Sequence, residues 1–219
     1  MHLYLIRHGQ SYVNLPDWKG ETDTGLTPLG QQQAEALASW LPEHLPHVDA
    51  IYASTMRRPQ ETSIPAAAAY KLQVIPDHRL REIGNNDSNH EPYPPGHEPT
   101  VADWISKLPT IECSPFAPVS RAPRSETMMD FRVRVASFIE EALSKHLNQG
   151  VLVFCHGGVI DAAFDYCFGV GPWRRCDVFT YNTGITHFQY LVTPEVNFWA
   201  LHSHNLIEHL RGVDGALSF

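Results

Sequence analysis

Apolar residues along the chain fall into two patterns. Short runs at LYLIR (3–7), VDAIYAS (48–54), LQVIP (72–76) and the fully apolar GVLVFC (150–155) read as strands. The segments between them follow a helical period. In TPLGQQQAEALASWL, Ala34, Leu37, Ala38 and Leu41 recur at helical spacing, with Thr27 as N-cap and Pro28 at the first helical position. A helix carrying Arg57, Arg58 and Thr62 follows the second strand, and Pro65 predicts a kink or break within it. MMDFRVRVASFIEEALSKHL puts Phe131, Val135, Phe138, Ile139 and Leu143 on one face of a helix. HGGVIDAAFDYCFG predicts a helix directly after GVLVFC, ending at Gly169. ITHFQYLV and NFWALHS, separated by TPEV, predict a hairpin.

Strands alternating with helices predict an α/β fold. The expected form is a three-layer sandwich, its mixed, mainly parallel sheet flanked by helices, with the terminal pair supplying antiparallel strands. From Glu82 to Arg124 the pattern lapses into prolines and polar residues, as in NNDSNHEPYPPGHEPT, with a short helix expected at VADWISKL. A stretch this long and irregular is usually functional or mobile, a lid over the site or a disordered surface loop. The expected organisation is one domain over 1–219, with 85–125 as an inserted lid that sets substrate specificity.

Composition narrows the function. A formal net charge of −8 argues against a nucleic-acid partner, which needs a basic face. It leaves room for a small phosphorylated ligand held by a few local cations. No apolar run is long enough to span a bilayer, and the start HLYLI lacks the features of a signal peptide. Cys113, Cys155, Cys167 and Cys176 show no CxxC pairing and read as reduced thiols in a cytoplasmic protein. The oligomeric state stays open, with a homodimer as one option.

The candidate chemistry lies where strands end. LYLIRHG and VLVFCHGG are each an apolar strand running into His-Gly. Open α/β sheets bind ligands at the carboxyl ends of their strands. If both strands are central and parallel, His8 and His156 emerge at one edge. Gly157 and Gly158 then open a helix whose N-terminus suits a phosphate. Arg7, with Arg57 or Arg58 beyond the second strand, can grip a tetrahedral anion through forked hydrogen bonds. Two histidines and two arginines at one edge suit phosphoryl transfer, with one imidazole attacking phosphorus.

Several segments together resemble the histidine phosphatase superfamily, also called phosphoglycerate mutase-like. LIRHGQSYVN resembles its RHG signature, LTPLGQQQA its LTxxGxxQA, and IYASTMRRPQETS its SPLxRAxQTA. RLREI, SETMMDFRVRV and VFCHGG are similar to its acid segment, its GES…RV helix start and its second-histidine motif. The resemblance implies His8 as nucleophile, with its other ring nitrogen donating to a backbone carbonyl. It implies a phosphate pocket of Arg7, Arg58, His156, Gly157 and Asn14. It implies Glu82 as general acid and base, although the departure EIGNNDSNHEPY leaves Asp87 as a second candidate. No cofactor and no metal are implied. The longer Arg- and Tyr-containing stretch of true mutases is missing, and only Arg121 and Arg124 offer cations in the lid. The expected activity is therefore phosphomonoester hydrolysis of a small substrate, of the histidine acid phosphatase type. A phosphoglycerate mutase and an inactive phosphate- or phosphoprotein-binding module are the alternatives.

Two further features read as structural, and a third stays open. Cys155 adjoins His156, but adjacent strand residues point to opposite faces. His202 and His204 share a strand face without an acidic or cysteine partner nearby in sequence, so a metal hydrolase built on them is the weaker expectation. Trp173 with Arg174 and Arg175 suits a pocket rim or a partner surface, and the sequence does not choose between them.

Overall fold

A computed structural model describes residues 1–94, 97, 100, 114–119, 124–173 and 176–218. Its sheet has six strands: β1 (His2–Arg7), β2 (Ala50–Ser54), β3 (Val74–Asp77), β4 (Gly150–Cys155), β5 (Ile185–Val192) and β6 (Asn197–Leu206). They lie in the order β3-β2-β4-β1-β5-β6. The first four are parallel, while β5 runs antiparallel to both β1 and β6.

Among the described residues four α-helices cover the two faces: α1 (Pro28–His44), α2 (Arg57–Tyr70), α3 (Met128–Lys145) and α4 (Gly157–Cys167). Strand β4 shows why its sequence is apolar throughout. Val151, Val153 and Cys155 face the core built by α3 and α4, whereas Leu152 and Phe154 face the core built by α1 and α2. A strand covered on both sides has no solvent face to fill with polar residues.

The helix signals translate directly. Thr27 Oγ1 accepts from the Gly30 amide, and Pro28 occupies the first turn of α1. Thr127 and Asp130 form a capping box at the start of α3. Gly169 adopts φ 63° just beyond α4, where a left-handed residue stops the helix.

The break expected at Pro65 does not occur, and α2 runs unbroken from Arg57 to Tyr70. Proline removes one backbone donor. Buried Thr62, Ser63, Ala66 and Ala67 on both sides of it keep the helix seated. The expected hairpin forms, and β6 extends to Leu206 rather than stopping at residue 203. The helix expected at 101–108, and most of the segment expected to be a lid, lie outside the described residues. Flanking parts are tied down by isolated bridges, Asn86 with Pro92, Asp87 with Ser125 and Pro118 with Thr127.

Candidate active site

Arg7 pairs with Cys155 across β1 and β4, so the next residues, His8 and His156, leave the sheet at the same level. Their rings lie 5.2 Å apart, centroid to centroid. Strand β2 flanks β4 and delivers Ser54 and then Arg58 to the same edge. A cleft of about 270 Å³ opens there, lined by Arg7, His8, Val13, Asn14, Thr22, Arg58, Glu82 and Asn85.

The partners of His8 fix its tautomer. Arg58 Nε lies 2.9 Å from His8 Nε2. A guanidinium can only donate, so Nε2 carries the lone pair. The proton then sits on Nδ1, which donates to the Gly9 carbonyl at 2.7 Å. This is the backbone hydrogen bond that the resemblance implied. Behind the ring, the Gly9 amide donates to Thr62 Oγ1, and Asn182 Nδ2 donates to the His8 carbonyl.

Arg57 and Arg58 separate sharply, because successive helix residues point in different directions. Arg57 is exposed and paired with Glu61. Arg58 is buried, and its Nη1 donates to the Thr22 carbonyl at 2.7 Å. Arg7 Nη1 donates to the Thr180 carbonyl, while its Nε is buried without a protein partner. His156 Nε2 lies 3.0 Å from Ser54 Oγ, and its Nδ1 is also buried without a partner.

These groups share one electrostatic setting. Burial pushes His8 well below the ordinary imidazole value, and the Arg58 and Arg7 charges push it further. Burial followed by the Arg58 charge does the same to His156. Both rings are therefore neutral at pH 7. Burial brings Arg58 down to about 10, so it remains a cation there. The Cys155 thiol is fully buried and its pKa pushed up, which makes it a poor nucleophile.

Glu82 enters the cleft from the segment after β3. Its Oε1 accepts from the Ile83 amide at 2.9 Å, and its Oε2 accepts from Gly158 at 3.3 Å. A Cβ at Gly158 would stand 2.2 Å from Glu82 Oε1, so glycine is what allows the carboxylate this close to the start of α4. One of the two glycine amides expected to face a phosphate is thus engaged by Glu82.

A buried ion pair holds the main chain of this segment. Arg134 and Glu126 bond in a fork, with Nε–Oε2 and Nη2–Oε1 both at 2.8 Å. Arg134 also donates to the carbonyls of Arg79, Arg81 and Glu82, and Glu126 accepts from the Gly84 amide. Removing one partner from such a pair typically costs about 3–5 kcal/mol.

The structure brings together Arg7, His8, Asn14, Arg58, Glu82, His156 and Gly157. Asn14 Oδ1 accepts from both the amide and the hydroxyl of Ser11, which leaves its Nδ2 as the donor. A Cβ on Gly157 would make only ordinary contact with Arg7, so that position does not demand glycine. Asp87 is not among the cleft-lining residues, and its Oδ1 closes a turn by accepting from Asn89 and Glu91.

Sequence reasoning did not single out Ser54, Thr22 or Asn85. Ser54 ends a strand, a position that could have flagged it. Thr22 and Asn85 hydrogen-bond each other from irregular segments that carry no such signal. His202 pairs with Gln189, and His204 with Thr186 and the Phe179 carbonyl. Among the described residues no cluster of three His, Cys, Asp or Glu could hold a metal.

A family model described as "Histidine phosphatase superfamily (branch 1)" matches residues 3–205. A Hydrogenobacter thermophilus protein named "Putative phosphoserine phosphatase 2" is 34% identical over 190 residues, 84% of this chain and 87% of that one. A Proteus mirabilis protein named "Probable phosphoglycerate mutase GpmB" is 23% identical over 215 residues, 97% and 96% of the two chains. The solved structure titled "Bacillus stearothermophilus YhfR" superposes with a TM-score of 0.71 at 24% identity, covering 95% of this chain and 98% of that one. The chain belongs to the histidine phosphatase superfamily.

Proposed function

We propose that the protein is a phosphomonoester hydrolase acting on a small phosphorylated substrate through a phosphohistidine at His8 Nε2. The observation that carries this reading is the tautomer of His8: Nδ1 is committed to the Gly9 carbonyl, and the lone pair of Nε2 lies at the guanidinium of Arg58. The family, and the phosphatase named among its relatives, support the hydrolytic class.

In the first step Arg58 Nε shifts its hydrogen bond from His8 Nε2 to a phosphoryl oxygen, the freed Nε2 lone pair attacks phosphorus, and the bond to the leaving oxygen breaks. Protonated Glu82 gives its proton to that oxygen. Arg7, Arg58, His156, Gly157 and Asn14 receive the phosphoryl oxygens, and the unpartnered Arg7 Nε and His156 Nδ1 supply two of the contacts. In the second step the Glu82 carboxylate takes a proton from water. The oxygen attacks phosphorus, the P–Nε2 bond breaks, and inorganic phosphate leaves with His8 neutral again. The neutrality of buried His8 supports its use as a nucleophile without prior deprotonation.

The phosphatase reading is preferred to the mutase because a mutase must hold a second phosphate. Among the described cleft-lining residues Arg7 and Arg58 are the cations, and this reading assigns both to the transferring phosphate. The same reading treats the chain as one domain, with the 85–125 insertion setting substrate specificity. It also takes the protein to be cytoplasmic, in keeping with free thiols at Cys155, Cys167 and Cys176.

Glu82→Gln tests the proton's route. It removes the acid and keeps one of the two oxygen acceptors, enough for the Ile83 amide or the Gly158 amide. Turnover of an alkyl phosphate should fall about 10²–10⁴-fold, and turnover of p-nitrophenyl phosphate far less. Equal losses on both would remove Glu82 from the role.

A further inference from the structure

The peptide unit joining Gly9 to Gln10 has two ends. Its carbonyl accepts the proton of His8 Nδ1 at 2.7 Å. Its N–H, on the Gln10 side, donates to Gln33 Oε1 at 2.7 Å. Because the peptide is planar, the side chain that fixes the N–H direction also fixes the carbonyl direction. Gln33 therefore aims the oxygen that holds the imidazole.

Gln33 is fully buried on α1, and the face it shares is built around the same loop. Gly30 and Thr27 stand about one and two turns before it. The Thr27 amide donates to the Gln10 carbonyl, and Thr27 Oγ1 donates to Gln10 Oε1. A Cβ at Gly30 would lie 1.9 Å from the Gln10 carbonyl oxygen, so glycine lets α1 approach the loop this closely. The spacing LTPLGQQQ, which the helix start alone does not explain, is the spacing of this contact surface.

The far end of Gln33 is held by the chain's C-terminal segment. Its Nε2 donates to the Ala216 carbonyl at 2.6 Å and to Ser218 Oγ at 3.3 Å. Ser218 also grips Asn182, through Oγ to Oδ1 at 2.9 Å and through its carbonyl to the Asn182 amide at 2.9 Å. Asn182 Nδ2 in turn donates to the His8 carbonyl at 2.9 Å. Next to it, β-branched Thr183 is held at φ 58°, a conformation such residues rarely adopt, and its amide donates to the Arg7 carbonyl. The segment 216–218 thus reaches the His8 loop by two routes, one through Gln33 and one through Asn182.

We propose that Gln33 is a positioning residue for the His8 imidazole, and that the C-terminal segment is the element that keeps Gln33 in register. This inference rests on the reading of His8 as the phosphoryl acceptor. Gln33 touches no substrate. It acts by setting the peptide that orients the ring, so its loss slows chemistry while leaving phosphate affinity in place.

The test compares the full chain with Gln33→Leu, Gln33→Glu and a chain ending at Gly215. Rapid-quench measurement gives the rate of phosphoenzyme formation from p-nitrophenyl phosphate, and competitive inhibition by inorganic phosphate gives its affinity. Gln33→Leu should slow phosphorylation about 10–100-fold, since small displacements of reacting groups carry costs of this order. Inhibition by phosphate should change by less than about threefold. Gln33→Glu keeps the acceptor for Gln10 but turns a carboxylate oxygen toward the Ala216 carbonyl, which repels the C-terminal segment, so its loss should match that of the truncated chain. Adding Gln33→Glu to the truncated chain should cost nothing further.

Phosphorylation at the full rate in either the Gln33→Glu or the truncated chain overturns the inference. So does a loss of phosphate affinity that parallels the loss of rate, or multiplication of the two effects. If Gln33→Leu fails to fold, Gln33→Glu and the truncated chain still decide. A full chain that forms no phosphoenzyme at all refutes the His8 reading itself, which separates the two failures.

Discussion

Strands β1 and β4 lie side by side and end in the same letters, yet His8 and His156 occupy different chemical states. Both rings are buried, both are neutral, and they lie 5.2 Å apart. His8 has both nitrogens engaged, one by the Gly9 carbonyl and one by Arg58. His156 has one engaged, by Ser54, and stands at the N-cap position of α4 without a side-chain capping bond. The shared motif sets where a histidine emerges. Its partners, drawn from β2, α2 and the loop itself, set what each histidine can do.

The comparison breaks most visibly if the two are removed in turn. His8→Ala deletes the proposed phosphoryl acceptor, and activity on any phosphomonoester should fall about 10⁴-fold or more. His156→Ala deletes one donor to the transferring group, and the loss should be nearer 10²–10³-fold. Steady-state kinetics on p-nitrophenyl phosphate would show it, and equal losses would mean that the partners do not distinguish the rings. Arg58→Lys keeps a charge but loses the fork that reaches both His8 Nε2 and the Thr22 carbonyl, so kcat should drop about 10–100-fold. An unchanged kcat would show that charge alone suffices.

The locations were legible in the sequence, and the partners were not. Parallel strands covered on both faces are continuous apolar runs, which is why LYLIR and GVLVFC read correctly and why His8 and His156 could be placed at one edge. Glu82 was legible only through a resemblance. No periodicity marks it, because what holds its backbone is an ion pair from 44 and 52 residues further along the chain, Glu126 and Arg134. Asn182 and Gln33 escaped for the same reason. Their partners lie 174 and 183 residues away in sequence, and no local rule joins them. The break expected at Pro65 failed in the opposite sense: a valid local penalty was outweighed by helix packing.

Smaller effects sharpen the contrast. Ser54→Ala frees His156 Nε2 and leaves His8 untouched, so kcat should fall only about fivefold, the worth of one hydrogen bond. A loss as large as that from His156→Ala would make Ser54 part of the chemistry. The last effect concerns what the two rings share. His187 and His209 titrate at about 4 in the folded chain, and His8 and His156 lie well below their ordinary value. Unfolded histidines titrate near 6.5, so the unfolded chain binds more protons below that pH. Stability should fall as pH drops from about 6.5 to about 4. His2 is lowered as well, so buried Glu126, whose pKa is raised, opposes this as one group against five histidines. Urea midpoints measured across that window would reveal it, and a midpoint that rises on acidification would contradict it.

The most direct measurement is the chemical identity of the phosphorylated residue. Enzyme quenched during turnover should carry an acid-labile, base-stable phosphate on His8, attached at Nε2, the nitrogen not committed to the Gly9 carbonyl. Phosphorus NMR with peptide mapping distinguishes the two ring nitrogens. Phosphate on Nε2 of His8 is the predicted result. Phosphate on Nδ1, on His156, or on no residue while substrate is consumed would contradict it.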